Sequence, residues 1–199
     1  MEREAPQRRK AVFLDRDGVV NSDEGRYYVH RLPDFVLTPQ LGEALRRLRD
    51  AGFLLIIITN QSGVARGAYT LRDVEQLHDA LRERLSAHGV ALAEVYACPH
   101  HPDHGRCLCR KPQPLLVQKA LARFGIDPAR SYFIGDRESD LETARRAGVA
   151  GILVASNRGI AEAVEGIVGG RLERGGVAGQ ANPAPTCEHA VRSMKRHLT

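Results

Sequence analysis

The chain has 199 residues, of which 43% are hydrophobic and 27% charged, and this composition predicts one globular domain with a substantial core. No run of about 18 apolar residues occurs, which excludes a membrane-spanning helix. The charged first residues lack the apolar segment of a signal peptide, which predicts a cytoplasmic protein. The net charge of +5 favours an anionic partner, whereas dispersed basic residues and the absence of tryptophan argue against a nucleic-acid surface.

Short apolar segments alternate with amphipathic ones along most of the chain. The apolar segments predict β-strands at residues 11–14, 53–58, 92–97, 131–134 and 151–155. Apolar residues at helical spacing predict helices at residues 41–51, 70–88, 115–124 and 141–147. Thr70 and Asp73 form a capping-box pattern at the start of the second helix. Because strands alternate with helices, the sequence predicts an α/β fold, a Rossmann-like parallel sheet between two layers of helices.

Polar residues follow three of these predicted strands. Asp15 and Asp17 follow the first strand, Thr59 and Asn60 end the second, and Asp136 follows the fourth. Because ligands of such sheets bind beyond the carboxyl ends of the strands, we expect these side chains to converge. Carboxylates such as Asp15 and Asp136 can hold Mg²⁺, which would cancel the repulsion between a carboxylate and a phosphate dianion.

The composition changes after Asn157. Gly-Gly pairs and the Asn-Pro-Ala-Pro run at residues 182–185 predict loop or disorder. We therefore divide the chain into a domain of residues 1–156 and a partly disordered, Gly/Pro-rich extension of residues 157–199.

Residues 98–112, here called the zinc loop, are rich in cysteine and histidine. Three thiolates and one imidazole could bind a structural Zn²⁺: Cys98, His100, Cys107 and Cys109. Since all four positions would be filled by protein ligands, this zinc is expected to hold the loop and not to catalyse. His101 and His104 are alternatives to His100.

Four motifs in chain order resemble those of the haloacid dehalogenase superfamily of phosphotransferases. They are Asp15-x-Asp17-Gly18-Val19, Thr59, Lys111 and Gly135-Asp136-x-x-x-Asp140. The resemblance covers approximately residues 10–155 and implies a Mg²⁺-dependent phosphatase. The intervals between the motifs are too short for a separate cap domain, so the fold is expected to be capless. The site would be roofed by residues 22–35, here called the flap, and by the zinc loop.

The resemblance implies a role for each motif residue. Asp15 would attack phosphorus and form an aspartyl phosphate. Asp17 would bind Mg²⁺ through its backbone carbonyl and transfer protons, and the crowding of two carboxylates predicts that it carries a proton. Thr59 would hydrogen-bond the phosphoryl group, and Lys111 would neutralise its charge. Asp136 would bind Mg²⁺, and Asp140 is expected to support neighbouring groups.

The zinc loop narrows the resemblance. Its last residues, 107–112, are similar to those of a branch that contains heptose 1,7-bisphosphate 7-phosphatases and histidinol-phosphate phosphatases. Residues 59–70 and 98–102 are more similar to the heptose enzymes, which favours removal of the 7-phosphate of D-glycero-D-manno-heptose 1,7-bisphosphate. The flap segment at residues 23–30 departs from that family, whose counterpart is shorter. The positions expected to contact the substrate are Asn60, Gln61, Ser62, Arg66, Arg110 and Arg137.

Other functions also fit the pattern. Histidinol phosphate is the alternative substrate, and Asp23 or Glu24 could bind its amine. An open site would also admit the 3′ end of a nucleic acid. A zinc-stabilised binding module without catalysis is the non-enzymatic alternative. The expected partner is a small phosphorylated sugar, and the expected state is a monomer.

Overall fold

The computed structural model describes residues 8–171. Its five strands are Lys10–Leu14 (β1), Phe53–Asn60 (β2), Glu94–Cys98 (β3), Tyr132–Gly135 (β4) and Ala150–Leu153 (β5). Its five α-helices are Leu41–Asp50 (α1), Leu71–Ser86 (α2), Leu115–Phe124 (α3), Glu138–Ala147 (α4) and Ala161–Val168 (α5). None of the helices in this part of the chain is long and apolar enough to cross a bilayer.

The strands form one parallel sheet in the order β3-β2-β1-β4-β5. Val12 and Leu14 of β1 pack on one face against α1, α2 and α5. Ala11 and Phe13 pack on the other face against α3 and α4. Because both faces are covered, the central strand is apolar at every position from Ala11 to Leu14, and the predicted three-layer α/β fold is confirmed. No cap domain interrupts residues 8–171.

Local signals set the helix ends. Thr70 and Asp73 form the predicted capping box at the start of α2. Gly125 and Gly148 end α3 and α4 with left-handed φ values of 61° and 73°. Helix α4 begins at Glu138, earlier than predicted, because the Asp140 carboxylate accepts a hydrogen bond from the backbone of Arg137 at 3.2 Å.

Helix α5 is an element that the sequence analysis did not predict. Ile160, Ala163, Val164 and Ile167 lie at i, i+3, i+4 and i+7 and are buried in the core shared with α1. A loop was predicted here because of the glycine pairs that follow, although the short apolar pattern is typical of a helix. The predicted domain boundary at residue 156 thus falls before the last helix of the described part. The predicted disorder beyond residue 171, and Cys187, lie outside the described residues.

The flap leaves the sheet after β1 and returns at α1. At its return, the Thr38 hydroxyl donates to the carbonyl of Val19 at 2.7 Å. At its start, the backbone nitrogen of Asp23 donates to Oδ1 of Asn157 at 3.0 Å, and the Asn157 nitrogen donates to the carbonyl of Gly18 at 2.7 Å. The loop after β5 therefore holds the flap beside the carboxyl end of β1.

Candidate active site

Three carboxylates meet at the carboxyl edge of the sheet. Asp15, Asp136 and Asp140 each place one oxygen within 4.8 Å of the others. Asp15 and Asp136 follow β1 and β4, which are neighbours in the sheet, and Asp140 lies in the first turn of α4. A cavity of about 390 Å³ opens beside Asp15. The predicted convergence at this edge is therefore present.

Lys111 joins two of these carboxylates from the end of the zinc loop. Its Nζ lies 2.7 Å from Oδ1 of Asp15 and 2.7 Å from Oδ1 of Asp140, and all three side chains are buried. Burial raises the pKa of Asp15 to about 7, although the Lys111 charge opposes this rise. Burial also disfavours the Lys111 charge, but Asp15 and Asp140 outweigh it and raise the pKa of Lys111.

The carboxylate set fits a divalent cation. Oδ1 of Asp136 is buried and has no hydrogen-bond partner among residues 8–171, and burial raises the pKa of this carboxyl. Gly18, at φ +85°, lets the chain turn here, and a Cβ at this position would overlap the Asp136 carboxylate. Asp140 has one oxygen paired with Lys111 and the other capping α4. Asp15 and Asp136 are thus the carboxylates available to Mg²⁺.

Asp17 lies beside Asp15 in sequence, but its carboxylate is held by other groups. Arg16 donates to both of its oxygens at 2.9–3.1 Å, Asn21 donates to Oδ1 at 3.1 Å, and Gln61 donates to Oδ2 at 2.9 Å. All three partners donate hydrogen bonds to this carboxyl group and fix its orientation. The proton expected on Asp17 stays a prediction, and burial raises the pKa of the neighbouring Asp15 to about 7.

Two residues predicted to touch substrate, Asn60 and Gln61, form hydrogen bonds to other site residues. The Gln61 amide nitrogen also donates to Thr59 Oγ1 at 2.8 Å, and its oxygen accepts from Tyr69 at 2.8 Å. The Asn60 side chain bonds the backbone of Lys111 at 3.1 and 3.3 Å, although Asn60 also borders the cavity. These contacts fix Thr59 and Lys111 relative to one another.

The cavity wall contains predicted residues and others that the sequence analysis missed. The predicted ones are Asp15, Asp17, Thr59, Asn60, Ser62, Arg110, Lys111 and Arg137. The missed ones include Arg26, Tyr27, Tyr28, Tyr69, His101 and Ser139. Arg66 does not line the cavity and lies 3.4 Å from Asp103. Tyr27 and Tyr28 could have been identified as cavity residues from the sequence, because they lie in the part of the flap that departs from the family pattern.

The zinc loop brings its four predicted ligands together. Their donor atoms all lie within 4.8 Å of one another. The Cys98 and Cys107 sulfurs are 3.7 Å apart, close to the spacing of about 3.8 Å in a tetrahedron with Zn–S bonds of about 2.3 Å, whereas the Cys98 and Cys109 sulfurs are 3.1 Å apart. Nδ1 of His100 lies 3.2 Å from the Cys109 sulfur. His101, an alternative ligand, instead accepts a hydrogen bond from the backbone of Asp103 and lines the cavity.

Comparisons with known proteins agree with this geometry. The HAD-hydrolase-like family model matches residues 108–170. A D-glycero-beta-D-manno-heptose-1,7-bisphosphate 7-phosphatase of Haemophilus ducreyi is 43% identical over 159 residues, which cover 76% of this chain and 86% of that protein. The corresponding D-glycero-D-manno-heptose enzyme of Chlorobaculum tepidum is 42% identical over 73% of this chain and 78% of its own length.

A solved structure extends the comparison to three dimensions. The D,D-heptose 1,7-bisphosphate phosphatase of B. bronchiseptica, complexed with magnesium and phosphate, superposes with a TM-score of 0.71 at 32% identity. The match covers 85% of this chain and 90% of that chain. The chain therefore belongs to the haloacid dehalogenase-like phosphatases, in the branch that contains the heptose 1,7-bisphosphate 7-phosphatases.

Proposed function

We propose that this protein is a Mg²⁺-dependent phosphatase that removes the 7-phosphate of D-glycero-D-manno-heptose 1,7-bisphosphate. The observation that carries the proposal is the buried Asp15–Lys111–Asp140 set beside Asp136, at the edge of a cavity of about 390 Å³. The names of the relatives support the heptose substrate and do not favour histidinol phosphate.

The reaction would run through a phosphoryl group on Asp15. Bound Mg²⁺ would be held by Asp15, Asp136 and the Asp17 carbonyl and would supply positive charge against the phosphate dianion. An Asp15 oxygen forms a bond to phosphorus while the bond from phosphorus to the sugar oxygen breaks. The departing sugar oxygen takes a proton from Asp17. Asp17 then removes a proton from the water that hydrolyses the aspartyl phosphate.

Neighbouring groups would hold the phosphoryl group during both steps. Lys111 keeps one charge close to Asp15 throughout, because its second partner, Asp140, fixes it from the other side. Thr59 offers a hydroxyl donor to a phosphoryl oxygen, since its Oγ1 accepts from Gln61 and leaves its proton free for the substrate.

The cations of the cavity wall would bind the second phosphate. Arg110 and Arg137 both line the cavity, and a guanidinium can bind a phosphate through two hydrogen bonds. A structural Zn²⁺ on Cys98, His100, Cys107 and Cys109 would hold the segment that ends in Arg110 and Lys111. Thiolate ligands of this kind fit the reducing cytoplasm, where we place the reaction.

The test is Mg²⁺-dependent phosphate release from three substrates side by side: heptose 1,7-bisphosphate, histidinol phosphate and a 3′-phosphorylated oligonucleotide. We expect kcat/KM to favour the heptose at least a hundredfold, which is about 2.7 kcal/mol of discrimination. Asp15→Asn should abolish release, whereas Asp79→Asn, at an exposed position on α2, should not change it. A preference for either other substrate, or activity in Asp15→Asn, would contradict the proposal.

A further inference from the structure

Arg16, between the two aspartates of the first motif, is completely buried. Its exposed fraction is 0%, and it is the largest fully buried side chain in the described part of the chain. Taking a guanidinium out of water costs several kcal/mol unless its charge and its donors are matched. One of its nitrogens, Nη1, is buried without a hydrogen-bond partner among residues 8–171. A burial this costly points to a function for Arg16 beyond packing.

A single nitrogen of Arg16 links the site to the flap. Nη2 donates to both oxygens of Asp17, at 2.9 and 3.0 Å, and also to the carbonyl of Val29 at 2.9 Å. Nε adds a third contact to Asp17 at 3.1 Å. The guanidinium lies 6.0 Å from the centre of the Phe35 ring, at the other end of the flap. Movement of Val29 would therefore change the contacts of Asp17 directly.

A second route joins the flap to the same carboxylate. The Tyr28 ring packs edge-on against Tyr69 at 5.4 Å, and the Tyr69 hydroxyl donates to Gln61. Gln61 in turn donates to Asp17 at 2.9 Å. Tyr27, Tyr28 and Val29 line the cavity, and Tyr27 is 80% exposed. A substrate long enough to reach the flap would thus touch the elements that hold Asp17.

We propose that Arg16 is a positioning residue that couples the flap to Asp17. The inference rests on the proposed function, in which Asp17 gives a proton to the leaving oxygen and takes one from water. In the described arrangement Asp17 is bound to Arg16, Asn21 and Gln61. Contact between substrate and flap fixes Val29 in place, and through the Arg16 fork it holds the Asp17 carboxyl oriented toward the leaving oxygen. Substrates that reach the flap therefore gain in kcat and not only in KM.

The test uses Arg16→Lys, which keeps the charge but loses the nitrogen shared between Asp17 and Val29. Arg84→Lys is the matched control, because Arg84 packs on the same Phe35 ring and bonds its carbonyl. The substrates are heptose 1,7-bisphosphate, a short alkyl phosphate, and p-nitrophenyl phosphate, whose leaving group needs no proton. Steady-state rates and the initial burst of p-nitrophenol are measured, and thermal melting reports folding.

For Arg16→Lys we expect kcat on heptose 1,7-bisphosphate to fall about 10²-fold, within the usual contribution of a general acid, with KM within about threefold. The kcat ratio of the heptose over the short alkyl phosphate should fall about tenfold. With p-nitrophenyl phosphate the first step is spared but hydrolysis of the aspartyl phosphate is slow, so a burst larger than that of the native chain appears. Arg84→Lys should show neither change.

A double variant separates positioning from a merely structural role. If Arg16 acts through Asp17, adding Arg16→Lys to Asp17→Asn should lower kcat by less than twofold further, since groups that act as a unit are not additive. Equal losses on all three substrates without a larger burst, or a full additive loss in the double variant, would overturn the proposal. If the native chain does not cleave the heptose, the proposed function fails, and the alkyl and p-nitrophenyl measurements still decide the role of Arg16.

Discussion

The strand-edge carboxylates and the zinc loop meet at Lys111, but different forces hold them. Asp15 and Asp136 follow strands buried in the centre of the sheet, so the hydrophobic core fixes their backbone. After Cys98, the last residue of β3, the zinc loop lies outside the sheet, and Leu108 within it is 73% exposed. The four ligand atoms lie close to one another at its centre, and further hydrogen bonds join it to Asn60 and Gln61 at the end of β2. If the loop binds Zn²⁺ as proposed, this site draws its rigidity from burial on one side and from metal coordination on the other.

Removing Lys111 should have the largest effect, because it breaks the connection between the two regions. Lys111→Met leaves Asp15 and Asp140 buried without their cation, so we expect a loss of about 3–5 kcal/mol in the free energy of unfolding. Activity should fall at least about 10³-fold, since a charge directed at the phosphoryl group is lost. Urea denaturation measures the loss of stability, and kcat/KM measures the loss of activity. Lys119→Met, at an exposed lysine of α3, is the control, and a similar loss in that variant would contradict the assignment.

Chelation of the proposed Zn²⁺ should affect the zinc loop and spare the sheet. With zinc removed, or with Cys109→Ser, we expect a loss of about 10–100-fold in kcat/KM, because Arg110 and Lys111 lose their support. Far-UV circular dichroism should change little, since the sheet and its helices have their own core. Zinc content per chain checks the stoichiometry. Complete unfolding on chelation would show that the loop also holds the core.

Lowering the pH should reduce the free energy of unfolding because of His78, a buried histidine on α2. Burial lowers the pKa of His78 to about 3, with Arg16 and Arg82 acting in the same direction. Below about pH 6.5 the unfolded chain binds a proton at this site that the folded chain does not, so stability falls as pH falls. Between about pH 7 and pH 5 this amounts to roughly 2 kcal/mol. The free energy of unfolding of His78→Leu, measured by urea denaturation at each pH, should depend less on pH over this range. The same pH dependence in the variant and the native chain would show that His78 is not its cause.

The smallest expected effect concerns the anchor of the flap. Asn157 adopts a left-handed φ of 66°, and its side chain accepts from the Asp23 backbone. Asn157→Gly keeps the backbone geometry and removes this hydrogen bond, at a cost of about 1 kcal/mol. We expect a loss of a few-fold in kcat/KM and a small drop in melting temperature. Asn157→Ala should be less stable than Asn157→Gly, because alanine tolerates this φ poorly.

Much of the strand edge could be predicted from the sequence. Apolar runs fix the strands, and residues at the ends of parallel strands must lie at one edge, so Asp15, Thr59 and Asp136 were expected together. The cluster of proposed zinc ligands could be predicted equally well, because three cysteines and a histidine close together in sequence can come together in only a few ways. In both cases the prediction depended on backbone position and spacing alone.

Side-chain partners could not be predicted in this way. Whether Asp17 faces Asp15 or Arg16, and whether Gln61 lines the cavity or bonds Thr59, depends on rotamers set by contacts distant in sequence. Tyr69 reaches Gln61, and Arg16 reaches Val29, through packing that no periodicity encodes. Helix α5 was missed for a different reason, because its apolar residues are few and stand beside Gly169 and Gly170.

The hydrogen bond from Asp23 to Asn157 sets a lower limit on the length of a shortened chain. A fragment that stops at residue 156 would keep Asp15, Lys111 and Asp136 but would release the start of the flap. It would also uncover the apolar side of α1 that α5 covers. A truncated chain intended for crystallisation or for variant libraries should therefore extend through Val168.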